Sequence, residues 1–518
     1  MSARDGRRLL KARWALVGLL IAFFVANDLT VAVTQLMTPH AGRVDFHVYF
    51  SAAQALAHGR SPYISPPACC FNPRAMIGYT YPPLFAFVLI PLTRLSFDDA
   101  GRIWLAVNYV SLVGMFLIGV RIARPRLSRE IIAWLALAML ASPQIGAAMY
   151  GIQVDPFVLL LEAVFAWSVV ANRAPAVGGV ALALAVCIKI SPLLIAPAIF
   201  LLPRERALQA LGGLVSGLVA GGLAMLAISG ETVYYFTHVL PSFSGGLVTQ
   251  WDRSLPGVVL RTLGSQGLHP AGGLGTTFLA LELVALLGVW VACSRVPGAP
   301  GRVLTVAGLL SVVPIFQGVT WDHHLIVEIL VLILLAPLLR AGSLAWMLAV
   351  GGVLLSGVNQ QIVDRWLAAR GLEPPHGSAQ LILFIAAASI DLLGMVATLS
   401  AVLVLARRLS QRDPAGRRTP RLRPDPGRHI QSRVLQVLGR RARSRLRLDW
   451  ASEQHSWWRS RRTRWPGMPS ASSPPVRCLR HQADRHRCTA NTLTRSPHCG
   501  DVAATRSPQP RRAAFSLE

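Results

Sequence analysis

The chain carries one long apolar run after another, and that repetition constrains its fold more than any other feature. Stretches such as Trp14–Val25, Leu135–Ala148 and Leu325–Leu339 are continuous and nearly free of charge. A helix crossing the hydrocarbon layer of a bilayer needs about 20 residues at roughly 1.5 Å rise each. Counted this way, the sequence predicts about twelve crossings. Composition agrees, with 53% hydrophobic residues, 14% charged residues and a mean hydropathy of +0.48. These values exclude an ordinary soluble domain and predict an all-α polytopic membrane protein.

The net charge of +27 invites a nucleic-acid reading, but its distribution argues against one. Just over half of the 51 basic residues, and under a third of the 24 acidic ones, lie in residues 407–518. The excess therefore belongs to an appended segment rich in Arg, Pro and Ser. Such a segment cannot bury enough apolar surface to offset its ordering entropy, so 407–518 is expected to be a disordered tail. A polybasic stretch beside a final helix suits anionic lipid headgroups, and membrane lipids are the expected partner there. Nucleic acid is not. Residues 1–406 form the predicted membrane domain.

Charge also sets the orientation. Arg4, Arg7, Arg8, Lys11 and Arg13 precede the first apolar run and place the N-terminus in the cytoplasm. Further basic clusters at Arg121–Arg129, Arg173, Arg204–Arg206, Arg295–Arg302, Arg340 and Arg407–Arg412 alternate consistently with that choice. The expected result is a plasma (inner) membrane protein with both termini cytoplasmic. Two large loops, 38–102 and 230–272, then face outward. The apolar stretch at 82–96 is short for a crossing and is read as re-entrant, beginning at Tyr81-Pro-Pro83.

The polar residues gather at the outward ends of the predicted helices. They include Asp45, Tyr49, Tyr81, Gln153, Asp155, Lys189, Arg253, Arg261, Trp321, His323 and His324. Ionisable groups near membrane depth are costly, so they tend to face a cavity or one another. Each has a plainer reading as well. Asp45 opens the stretch 45–57, which reads as a short interfacial helix with Asp45 capping its N-terminus. Lys189 can snorkel to the interface.

His323 and His324 are adjacent, and neighbouring residues of a regular helix point about 100° apart, which does not suit one metal ion. No metal or other cofactor is expected. The cysteines add little. Cys187 and Cys293 sit in apolar runs as small hydrophobes, adjacent Cys69 and Cys70 cannot readily pair, and Cys478, Cys488 and Cys499 lack metal-ligand spacing. There is no P-loop, dinucleotide fingerprint or nucleophile elbow, which leaves chemistry on a lipid-linked substrate as the better reading.

Several short blocks, taken in order, resemble glycosyltransferase family 87. They are Asp45-x-x-x-Tyr49, Gly59-Arg-Ser-Pro-Tyr63, Tyr81-Pro-Pro-Leu84, Gly151-Ile-Gln-Val154, Lys189-Ile-Ser-Pro192, Ser254-Leu-Pro-Gly257 with Arg261, and Trp321-Asp-His-His324. The resemblance implies a GT-C-type membrane glycosyltransferase that uses a polyprenyl-phosphate sugar, typically mannose. The family's first-loop catalytic aspartate maps onto Asp45, and its Trp-x-His-His segment onto Trp321, His323 and His324. Lys189, Arg253 and Arg261 then become candidates for the donor phosphate. Tyr49, Tyr81, Gln153, Asp155 and Trp321 become candidates for the acceptor or sugar. Asp155 departs from the pattern, since the family often has Asn there. The implied partners are the lipid-phosphate donor and a lipid or glycan acceptor. The competing class is a secondary transporter or lipid flippase, which would more often show two similar halves.

Overall fold

The computed structural model describes residues 3–37, 44–64, 78–124, 127–242, 252–265, 274–358 and 378–411, with positions 363, 366, 369 and 370. Among them there is no strand; the regular structure is helical. In chain order the principal helices are α1 (Ala3–Met37), α2 (Val44–Ala57), α3 (Pro83–Leu89) and α4 (Phe97–Ala123). Next come α5 (Arg129–Leu140), α6 (Pro143–Gly151), α7 (Asp155–Ala171), α8 (Pro175–Ile188), α9 (Arg204–Leu226) and α10 (Ser229–Tyr234). The remainder are α11 (Leu255–Ser265), α12 (Leu274–Ser294), α13 (Gly298–Phe316), α14 (Val327–Leu335), α15 (Leu344–Leu355), α16 (Ser378–Ala388) and α17 (Ile390–Gln411).

Six of these helices are long and apolar enough to cross a bilayer, and a seventh results if α5 and α6, bent by 48°, count as one span. The chain is therefore a membrane protein, with fewer uninterrupted spans among the described residues than the twelve expected. The difference has a local cause. Apolar run length takes no account of breaks, and proline supplies several of them. Ser191–Leu201 contains Pro192 and Pro197 and winds as a 3₁₀ helix. Pro83 opens α3, which continues only as a 3₁₀ turn to Arg94, so this apolar segment stays short.

Chemistry explains where the core lies. In α13, 72% of the apolar window is buried, against 11% in α1, so α13 is central and α1 presents its side chains outward. Lipid tails are as apolar as leucine, so helices in a bilayer associate through close backbone approach rather than apolar burial alone. The α8–α9 pair uses this device. A Cβ on Gly179 would lie 2.0 Å from the Ala210 carbonyl oxygen, and one on Gly213 would lie 2.2 Å from that of Ala176. Helix α8 ends at Ile188, so this packing also fixes the position of Lys189.

Residues Met1–Arg421 form one compact unit, which contains every described residue. The expected domain boundary near 406 falls inside α17, which runs on to Gln411. The tail beyond it, Cys69, Cys70 and much of the 230–272 loop lie outside the described residues. Cys187 and Cys293 are buried free thiols.

Candidate active site

The helix expected over 45–57 is present, but it begins at Val44, so Asp45 lies in the first turn of α2 rather than at its cap, and it remains partly exposed. Tyr49 follows one helical turn later on the same face. The two side chains hold the Gln153 amide between them. Gln153 Nε2 donates to Asp45 Oδ2, and the Tyr49 hydroxyl donates to Gln153 Oε1 at 2.7 Å. The Tyr81 hydroxyl meets that of Tyr49 at 3.1 Å. Tyr49, Tyr81 and Gln153 are all buried, so they brace the carboxylate rather than line an open sugar site. Burial pushes the Asp45 carboxyl up to about 6, and the negative charge of Asp155 adds to the rise. A carboxylate of that basicity suits proton abstraction near neutral pH.

The turn carrying Gln153 is built to receive Asp45. Helix α6 ends in a Schellman arrangement, with Gln153 N–H donating to the Ala148 carbonyl and Ile152 N–H to that of Met149. The left-handed residue of this motif is usually glycine, yet here it is Ile152, at φ 53° and ψ 52° and fully buried. The glycine sits one position earlier. A Cβ on Gly151 would lie 2.6 Å from Asp45 Oδ2. Buried Asn108 completes the support by donating to the Gln153 carbonyl at 2.6 Å.

Two residues on, Asp155 opens α7 and faces the cationic side. Lys189 Nζ donates to Asp155 Oδ1 at 2.7 Å. The lysine backbone is extended between α8 and the 3₁₀ segment. His323 Nε2 stands 3.7 Å from Asp155 Oδ2, and neither atom has a hydrogen-bond partner. Burial pushes the His323 imidazole down to about 4 despite the pull of Asp155, so the ring is neutral at pH 7. His324 accepts the Trp321 N–H at 3.2 Å through Nδ1, and the Trp321 ring stacks over it at 5.9 Å.

A cavity of about 50 Å³ lies among Asp155, Glu162, Lys189, Ser191, Gln317 and His324. That volume holds water or a small ion. Among the described residues, Asp155, His323 and His324 also place metal-ligating atoms within 4.8 Å of one another. Lys189 holds Asp155 through Oδ1 and the Trp321 N–H meets His324 Nδ1, while Asp155 Oδ2 and His323 Nε2 have no hydrogen-bond partner.

The two arginines differ from Lys189. Arg253 is fully buried, with its Nε 2.6 Å from Asp322 Oδ1 and 3.3 Å from Asp391 Oδ2. Sequence reasoning offered it to the donor phosphate, whereas here two carboxylates surround it. Arg261 is buried on α11. The Gly59–Tyr63 and Tyr81-Pro-Pro83 blocks are structural. Tyr63 donates to the Tyr81 carbonyl and Tyr79 to the Pro82 carbonyl, each at 2.8 Å. Sequence reasoning missed Asn108, Glu162 and Asp391, each an isolated polar residue within an apolar run.

The model of glycosyltransferase family 87 matches residues 79–316. The match covers just under half of the chain. Gln153, Asp155, Lys189, Arg253 and Arg261 fall within the family 87 match; Asp45 and the Trp321–His324 turn flank it. The chain is 29% identical over 303 residues to the polyprenol-phosphate-mannose-dependent alpha-(1-2)-phosphatidylinositol pentamannoside mannosyltransferase of Mycobacterium tuberculosis (strain CDC 1551 / Oshkosh), covering 57% of this chain and 66% of that one. It therefore spans just under two thirds of that relative. It is 25% identical over 335 residues to the polyprenol-phosphate-mannose-dependent alpha-(1-2)-phosphatidylinositol mannoside mannosyltransferase of Mycolicibacterium smegmatis (strain ATCC 700084 / mc(2)155), covering 59% and 72%. ArnT from Cupriavidus metallidurans, solved bound to undecaprenyl phosphate, aligns over 76% of this chain and 78% of that one. At 16% identity and a TM-score of 0.39, nothing further rests on that likeness.

Proposed function

We propose that this protein is a membrane hexosyltransferase of the GT-C type that transfers mannose from a polyprenyl-phosphate donor to a lipid- or glycan-linked acceptor. One observation carries the reading. The segment Gly151–Asp155 joins a braced, basic carboxylate to a lysine and imidazole cluster. A base beside a cationic site is what transfer from a lipid phosphate to a hydroxyl requires. The names of both relatives, which specify dependence on polyprenol-phosphate mannose, support the choice of donor.

In this mechanism Asp45 takes the proton from the acceptor hydroxyl as its oxygen attacks the anomeric carbon. The bond from that carbon to the phosphate oxygen breaks, and polyprenyl phosphate leaves. Lys189 supplies a point charge to the leaving group, and neutral His323 donates from its N–H as negative charge develops. His324 and Trp321 shape the same wall, and Arg261 is a further phosphate candidate. Attack opposite the phosphate inverts the donor anomer. The fold carries about twelve crossings, with 82–96 re-entrant and the site on the extracytoplasmic face of the plasma membrane. Residues 1–406 form the catalytic domain, and 407–518 form a cytoplasmic tail.

The decisive experiment supplies purified protein with labelled polyprenyl-phosphate mannose and a panel of lipid acceptors. Label should appear in an acceptor with the wild type and be lost with Asp45→Asn. Full transfer by Asp45→Asn would remove Asp45 as the base.

A further inference from the structure

The most deeply buried cation near the site lies behind the histidine turn. Arg253 is fully buried, and its side chain bridges Asp322 at the start of the turn Asp322–Ile326 and Asp391 in the first turn of α17. Its backbone joins the same arrangement. Arg253 N–H donates to the Thr320 carbonyl at 2.6 Å, and Thr320 N–H donates to Asp252 Oδ1 at 3.0 Å. Asp252 Oδ1 also accepts from the backbone N–H of Ser254 at 3.0 Å and from its hydroxyl at 2.7 Å. A Cβ on Gly257 would lie 2.3 Å from Asp252 Cγ, so α11 closes directly over this strap.

We propose that Arg253 is a positioning residue that locks the Trp321–His324 turn to α17 and thereby sets where the two imidazoles stand. This rests on the proposed glycosyl transfer. The turn is one winding of 3₁₀ helix, a geometry with poor internal hydrogen bonding that needs outside support. Both carboxylates meet the guanidinium at Nε, and arginine suits the task because its delocalised, always-charged group is more weakly hydrated than a lysine ammonium and so tolerates full burial between two acids. Asp391 thus acts on the site from the last long helix, through Arg253 and Asp322.

The test uses the full-length protein in lipid nanodiscs with Arg253→Gln, Arg253→Lys and Asp391→Asn. Transfer from polyprenyl-phosphate mannose gives kcat and donor KM, and amide hydrogen exchange reports on the 318–326 peptide. Arg253→Gln should lower kcat by about tenfold to a hundredfold with donor KM changed by less than about threefold. Arg253→Lys should recover part of kcat, and exchange at 318–326 should quicken in all three variants. A rise in donor KM with kcat unchanged would overturn the proposal, because Arg253 would then grip the donor itself. Unchanged exchange at 318–326 would overturn it equally. If the wild type transfers no sugar, the functional reading fails, and the exchange data alone decide for or against the strap.

Discussion

Gly151 is the floor on which the Asp45 carboxylate rests: a Cβ at position 151 would lie 2.6 Å from Asp45 Oδ2. Real Cβ atoms do not approach so closely, so Gly151→Ala must push the carboxylate off Gln153. A displacement of about 1 Å at a catalytic group can cost on the order of a hundredfold in rate. Gly151→Ala is expected to fold, keep donor affinity and lose most of kcat. Steady-state transfer kinetics check it.

Asp45 also sets a pH dependence. Its carboxyl is raised to about 6, so the base form is lost as pH falls through that value. Transfer should therefore decline below about pH 6. Gln153→Met removes the N–H that favours the ionised form, so the acidic limb should move to higher pH. Asp45→Asn should lose about 10²–10⁴-fold above that limb and a smaller factor below it, where the wild type too lacks the base form. An acidic limb unmoved in Gln153→Met would contradict the assignment.

Lys189 and Asp155 form a pair whose removal can be read in two ways. Lys189→Met leaves a buried carboxylate without its cation and should cost about 3–5 kcal/mol of stability. Adding Asp155→Leu should restore most of that stability, because no unpaired charge remains. Activity should stay absent in the double variant. A thermal melt and a transfer assay on the same samples separate the two effects.

Ile152 offers a contest of magnitudes. Its left-handed backbone costs about 1–2 kcal/mol, which glycine would relieve. Its fully buried side chain is worth more, since truncating a buried aliphatic costs about 2–5 kcal/mol. Burial should win, so Ile152→Gly is expected to lower the melting temperature. A higher melting temperature would mean the side chain packs less well than its burial implies.

The helical class and the Asp45 helix were legible because apolar runs and helix starts are local signals. Charge clusters at the helix ends located Lys189, Asp155 and the histidine turn for the same reason. The number of uninterrupted spans was less legible, because Pro192 and Pro197 turn an apolar run into a 3₁₀ segment without changing its hydropathy. The role of Arg253 was not legible at all. Its charge suggested phosphate, and only tertiary structure brings Asp391 from the last helix to meet it. Likewise, nothing local marks Asn108 as the support of Gln153.

The turn between α6 and α7 has a consequence for how the site tolerates motion. Base and cationic cluster are attached to opposite ends of Gly151–Asp155, four peptide links that can stretch to no more than about 14 Å. Helices in a bilayer rock and slide against each other, and an active site shared between them would drift as they do. Here both partners dock on one short turn, Asp45 through Gln153 and Lys189 through Asp155, so they stay within reach of one sugar while a bulky lipid enters.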